Sequence, residues 1–167
     1  MQVRKSSRFA ENAMLAAVYA VLTIGLAPIS YGPVQVRLSE CLTLLAFYDR
    51  RLIPGFTAGC LLANIASPFG LPDMIIGTAA TALGLYLMRF CPNLFTASLM
   101  PVLANGVIIG AELSYFSALP EGVTPLLAML YIAAGEFAAV SVIGTVLLKL
   151  LWRNRTIREL ILRSKEL

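Results

Sequence analysis

Long apolar runs separated by short polar or proline-containing breaks set the pattern of this chain. The first run, Phe9 to Ile29, ends at Pro28 and the Ser30-Tyr31-Gly32-Pro33 turn. A short amphipathic segment, Leu38 to Tyr48, follows. The charged Asp49-Arg50-Arg51 turn then leads into a run from Leu52 to Ala66, and "SPFGLP" at Ser67 to Pro72 precedes another from Asp73 to Arg89. The last two runs are Thr96 to Phe116, with Pro101 inside it, and Val123 to Leu151, joined through "SALPEG". A helix of about 20 apolar residues crosses a hydrocarbon core. The pattern therefore predicts an all-α integral membrane protein, a six-helix bundle forming a single domain over residues 1–151.

Composition agrees with that class. Of 167 residues, 59% are hydrophobic and 13% charged, with mean hydropathy +0.82, which leaves too little polar surface for a water-soluble domain. The first run follows Arg4, Lys5 and Arg8, as a signal peptide would, but it is long and lacks an A-x-A exit site, so it reads as a transmembrane helix. Six spans put both termini on one side, together with the turns at Asp49 to Arg51 and Arg89 to Asn93. That side then holds twelve of the thirteen Lys and Arg residues, so the positive-inside rule makes it the cytoplasmic face of the cell membrane. Only Arg37 falls outside. Basic residues alternating with Ile157, Leu160, Ile161 and Leu162 predict that residues 152–167 form a cationic amphipathic tail on the inner membrane surface.

The acidic residues divide in the opposite sense. Glu40, Asp73, Glu112, Glu121 and Glu136 fall in the outer half or within the membrane. A carboxylate at a membrane helix centre costs about 2.5–3.5 kcal/mol on insertion scales, which marks Glu112 and Glu136 as candidate functional groups. Asn105 and Glu112 are seven residues apart and share a helix face, while Glu136 reaches a similar depth to Asn105. Asn64 and Asp73 would close the mouth of the pocket so formed. Structural roles compete at several of these positions: an N-cap for Asp73 after Pro72, interhelical hydrogen bonds for Asn64 and Asn105, and an Arg37–Glu40 pair at three-residue spacing. A pocket of carboxylates and amides favours a ligand that donates hydrogen bonds or carries positive charge.

Catalytic machinery is not visible. The chain has no His, no Gly-rich phosphate loop and no nucleophile–base pair, and Cys41, Cys60 and Cys91 read as small apolar fillers. The expectation is a protein that is not an enzyme, holds no metal or cofactor and binds no nucleic acid. In "AMLAAVYAVL" the pairs Ala13/Ala17 and Ala16/Ala20 are small-x-x-x-small repeats that allow a partner helix to approach closely.

"YGPVQVRLSE" at residues 31–40, "IPGFTAGCLLANIASPFGLPDMIIGTAAT" at residues 53–81 and the Ala-rich first helix together resemble the QueT family, the substrate-binding S components of energy-coupling-factor (ECF) transporters assigned to queuosine precursors. The likeness covers the whole chain. It implies a six-helix S component that captures a 7-deazaguanine, such as 7-aminomethyl-7-deazaguanine or queuine, outside the cell for ATP-driven uptake. The power would come from an ECF module of one membrane coupling protein and two ATPases, reached through helix one, with toppling in the membrane releasing the ligand. In that setting Glu136 or Glu112 would take the guanine edge, Asn105 and Asn64 would read other edge atoms, and Tyr31 or Phe69 would cover the ring. "YGPVQVRLSE" becomes a lid, with Tyr31 and Gln35 facing the ligand and Arg37 ordering Glu40 and the rim. Two other classes stay open: a stand-alone proton-coupled secondary transporter using Glu112 or Glu136 as relay, and an oligomeric channel or scaffold associating through its Ala faces.

Overall fold

A computed structural model of the chain describes residues 2–32, 34–116, 119 and 121–153, and these are helices and connecting turns with no strand. Helix α1 spans Gln2–Gly25, and a break at Leu26 separates it from the single turn of α2, Ala27–Ser30, where Pro28 sits in the first turn as its missing N–H permits. After α3 (Leu45–Tyr48) and α4 (Ile53–Asn64), a turn containing Gly70 at φ +68° leads into a π-helical stretch, Asp73–Gly77, and then α5, Thr78–Leu87. Helix α6 spans Leu94–Tyr115 and starts at Asn93, whose side chain accepts from the Thr96 N–H at 2.9 Å. Thr124 caps α7 (Pro125–Glu136) in the same way, at 3.3 Å from the Leu127 N–H. A second π-helical stretch, Phe137–Gly144, carries the helix on into α8, Thr145–Arg153. Leu94–Tyr115 and the continuous Pro125–Arg153 are long and apolar enough to cross a membrane.

Close backbone contact holds the bundle. Helix α4 lies against α1 at Gly59, where a Cβ would come 2.9 Å from the Ala16 carbonyl oxygen and 2.8 Å from the Tyr19 Cβ. One turn earlier the Gly55 N–H donates to Asn12 Oδ1 at 2.7 Å, and Asn12 Nδ2 donates to the Arg51 carbonyl at 3.1 Å. Without hydrophobic driving force between helices in lipid, such approach supplies the dispersion contact that association needs. The same contact changes the expected alanine stripe. Ala16 and Ala20 are buried in the chain's own interior, whereas Ala13 and Ala17 are exposed.

The segment predicted as amphipathic, Leu38 to Tyr48, is an interior strap instead. It forms a 3-10 turn at Leu38–Leu42 and then α3, and no residue from 35 to 49 is exposed. It runs antiparallel to α1. Val36 N–H donates to the Ile29 carbonyl, Ser39 Oγ lies 2.6 Å from Thr23 Oγ1, Tyr19 donates to Glu40, and the Arg51 carbonyl meets Asn12. From the level of Ile29 to that of Asn12 is about 25 Å at 1.5 Å per residue. Ser39 and Glu40 of this strap face Thr23 and Tyr19 of α1, and Thr43 donates to the Glu40 carbonyl within the strap, so the amphipathic pattern reflects internal pairing. At its far end Tyr48 stacks on Trp152, ring centroids 4.6 Å apart. The tail expected at residues 152–167 lies outside the described residues from position 154 onwards.

Gly59→Leu forces side-chain atoms into the α1 backbone, an overpacking that costs about 1–3 kcal/mol. The expected result is a lower unfolding midpoint in detergent, whereas Gly25→Ala, whose Cβ would meet nothing within 4 Å, holds the wild-type midpoint. Equal midpoints for Gly59→Leu and wild type would show that the α1–α4 contact is not tight.

Candidate functional site

The strap carries its polar residues into the middle of the bundle because two helices give way to it. At Gly135 a Cβ would lie 2.6 Å from the Gln35 carbonyl oxygen, and at Gly144 it would lie 2.9 Å from that of Cys41. Glycine at both positions lets the strap lie flush on the α7–α8 helix. Gln35, Arg37, Ser39 and Glu40 are consequently buried beside Glu136 rather than spread over the mouth of a pocket.

Arg37 is completely buried and does not pair with Glu40. Its Nη2 donates to Asp73 Oδ2 at 3.5 Å, its Nη1 faces Cys60 Sγ at 3.9 Å, and its guanidinium carbon lies 5.6 Å from the centre of the Tyr31 ring. Tyr31 is held in turn by its hydroxyl, which donates to the Ala63 carbonyl at 2.6 Å. Asp73 is not an N-cap. It opens the π-helical stretch, and its carboxylate points inward against Gly77, where a Cβ would come 2.5 Å from Asp73 Oδ1. Asn64 Nδ2 donates to the Asp73 carbonyl at 2.9 Å and approaches Thr78 Oγ1 at 3.4 Å, so the amide ties α4 to the start of α5. Glu40 accepts on Oε1 from the Tyr19 hydroxyl and from Thr81 Oγ1 at 3.3 Å.

A second pair completes the centre. Asn105 Nδ2 on α6 donates to Glu136 Oε1 on α7 at 3.0 Å, and both side chains are fully buried. Glu136 is the last residue before the second π-helical stretch. Two turns beyond Asn105, Glu112 borders a cavity of about 190 Å3 with Phe69, Pro72, Leu113 and Phe116. Glu121, the remaining outer acidic residue, is exposed in the α6–α7 connection and takes no part. Tyr19, Cys60 and Thr81 belong to the network although composition gave no reason to select them. Their signal was positional: Tyr19 and Thr81 are polar groups inside apolar runs.

The arrangement is unbalanced in hydrogen bonding. Buried side-chain atoms without a partner among the described residues include eight acceptors: Gln35 Oε1, Glu40 Oε2, Asn64 Oδ1, Asp73 Oδ1, Asn105 Oδ1, both Glu112 oxygens and Glu136 Oε2. Opposite them stand two N–H donors, Gln35 Nε2 and Arg37 Nε, and two hydroxyls that can donate or accept, Ser30 Oγ and Thr145 Oγ1. Each unsatisfied buried group costs about 1–3 kcal/mol. Chemically, the centre is built to receive hydrogen-bond donors or positive charge. Among the described residues no cluster of His, Cys, Asp or Glu is disposed to hold a metal ion.

A helical bundle with two long apolar helices around a buried polar centre fits a membrane protein with a functional interior. The family model for the QueT transporter matches residues 9–153, most of the chain, and the chain belongs to the QueT transporter family. It is 40% identical over 83 residues to the queuosine precursor transporter QueT of Lactococcus lactis subsp. cremoris. That match covers 48% of this chain and 48% of the relative, so it spans about half the length of each. No solved structure is significantly similar to the chain. Family membership and the two long apolar helices place the protein in a membrane.

Arg37→Met leaves Asp73 as an uncompensated charge in the interior, a change that destabilises by about 3–5 kcal/mol. The double variant Arg37→Met/Asp73→Leu removes both charges and regains most of that loss. Denaturant titration of the two variants in detergent measures the difference. Equal destabilisation by both would show that the Arg37–Asp73 contact contributes no coupling.

Proposed function

We propose that the chain is the substrate-binding S component of an ECF-type importer and captures a queuosine precursor, a 7-deazaguanine, at the buried centre. The observation that carries this reading is the excess of unpartnered acceptors over donors around Gln35, Asp73, Asn105 and Glu136. A deazaguanine presents N1–H and an exocyclic amine side by side, a donor pair that one carboxylate accepts, next to a carbonyl that an amide can meet. Glu136 with Asn105 offers such a pairing, and Gln35 lies across from it on Gly135. The name of the Lactococcus relative, a queuosine precursor transporter, points to the same chemistry.

The same proposal includes the topology. Six crossings, with both termini cytoplasmic in the cell membrane, follow if α1, the strap with α3, α4, the helix through α5, α6 and the α7–α8 helix each traverse the bilayer. The strap's run of about 25 Å along α1 is long enough for most of a 30 Å hydrocarbon core, and twelve of thirteen basic residues then lie inside. Residues 1–151 make one domain and the basic tail lies on the inner leaflet. The partner is a coupling protein with two ATPases, approached through the exposed face of α1 at Ala13 and Ala17, where Met14 and Val21 flank the small residues. Ala16 and Ala20 support that face from within.

Binding of 7-aminomethyl-7-deazaguanine to the purified chain, followed by uptake into vesicles with and without the ATPase module, tests the proposal. Binding by the chain alone with uptake only when the module and ATP are present is the expected result. ATP-independent uptake driven by a pH gradient would replace it with a proton-coupled carrier. Glu136→Gln is expected to weaken binding about tenfold or more, on the scale of a lost charge-assisted hydrogen bond.

A further inference from the structure

We propose that the Glu112 cavity is a distinct ammonium subsite that selects precursors with a cationic group on the five-membered ring, beyond the guanine edge. This inference rests on the substrate reading above and adds which end of the ligand lies where.

Three observations carry it. Glu112 is 5% exposed, and neither carboxylate oxygen has a partner among the described residues. Its cavity of about 190 Å3 is bordered by Phe69, Pro72, Leu113 and Phe116, none of which brings a side-chain donor. A guanine edge presents a carbonyl acceptor beside its donors, so it needs an amide as well as a carboxylate. The Glu136 centre has that amide in Asn105, and the Glu112 cavity lacks one. A carboxylate between aromatic and aliphatic walls instead matches a compact cation, which takes one charge-assisted hydrogen bond and rests its charge on ring faces.

Spacing supports two separate ends. Glu112 is seven residues beyond Asn105 on α6, about 10 Å along the helix, and Pro72 at the cavity wall adjoins Asp73 at the buried centre. A planar bicycle with its recognition edge at Glu136 and Asn105 would, with a substituent extending that distance along α6, bring the substituent to Glu112. An aminomethyl group there is a primary ammonium, whereas a cyano group at the same position is neutral and only accepts.

Equilibrium competition between 7-aminomethyl- and 7-cyano-7-deazaguanine on the purified full chain tests the subsite. Wild type is expected to prefer the aminomethyl compound by about tenfold or more, the scale of one ion-assisted contact. Glu112→Gln is expected to collapse the ratio of affinities to within about threefold, and Glu112→Asp to restore part of it, whereas Glu136→Gln weakens both compounds by similar factors. If Glu112→Gln does not fold, Phe69→Leu takes its place and must lower the same ratio. A wild type without preference, or a ratio unchanged in Glu112→Gln, overturns the subsite while leaving the deazaguanine assignment standing. Absence of binding by either compound to wild type overturns both.

Discussion

Arg37 is the group on which the rest of the interior depends. A guanidinium cannot shed its charge in a protein, and removing an ion from water carries a penalty of several kcal/mol even after relaxation. Its surroundings are arranged accordingly. Asp73 supplies the opposite charge, Tyr31 an aromatic face and Cys60 a polarisable sulfur. Holding these three around one side chain requires that the strap, α4 and the start of α5 keep their mutual positions, so a single buried cation fixes three otherwise independent elements.

The two π-helical stretches serve the same end. Asp73 begins one, and Glu136 immediately precedes the other. A π-turn inserts an extra residue into the helix and rotates the side chains around it, and such turns occur often at functional sites. Here that rotation points Asp73 towards Arg37, with Gly77 giving its carboxylate room. The second stretch ends at Gly144, where the Cys41 backbone lies against the helix. Helix irregularity and strap placement are thus two aspects of one packing solution.

Much of this was legible in the sequence, because apolar runs and intramembrane acids are strong signals. The four later long runs became helical within a few residues of their expected ends, the first begins seven residues earlier at Gln2 and breaks at Leu26, and Asn105 with Glu136, expected to share a depth, form a direct hydrogen bond. What the polar face of the strap meets was not legible, for a physical reason. Its alternation of polar and apolar residues is the same whether the polar face meets water or meets Tyr19, Thr23 and Thr81 inside a bundle, and only tertiary contacts separate those cases. The Arg37–Glu40 spacing misled similarly: three-residue separation pairs side chains on an α-helix, but Arg37 has extended backbone before a 3-10 turn. Asp73 lost its expected N-cap role because the helix already begins before it.

The count of donors and acceptors bears on which kind of transport the centre suits. Apart from the two Glu112 oxygens in their own cavity, six unpartnered acceptors outnumber the two N–H donors and the two hydroxyls, Ser30 and Thr145, so rotating side chains cannot pair them all. A ligand that brings several N–H groups at once addresses this excess in a single binding event, which supports the proposed capture of a donor-rich solute.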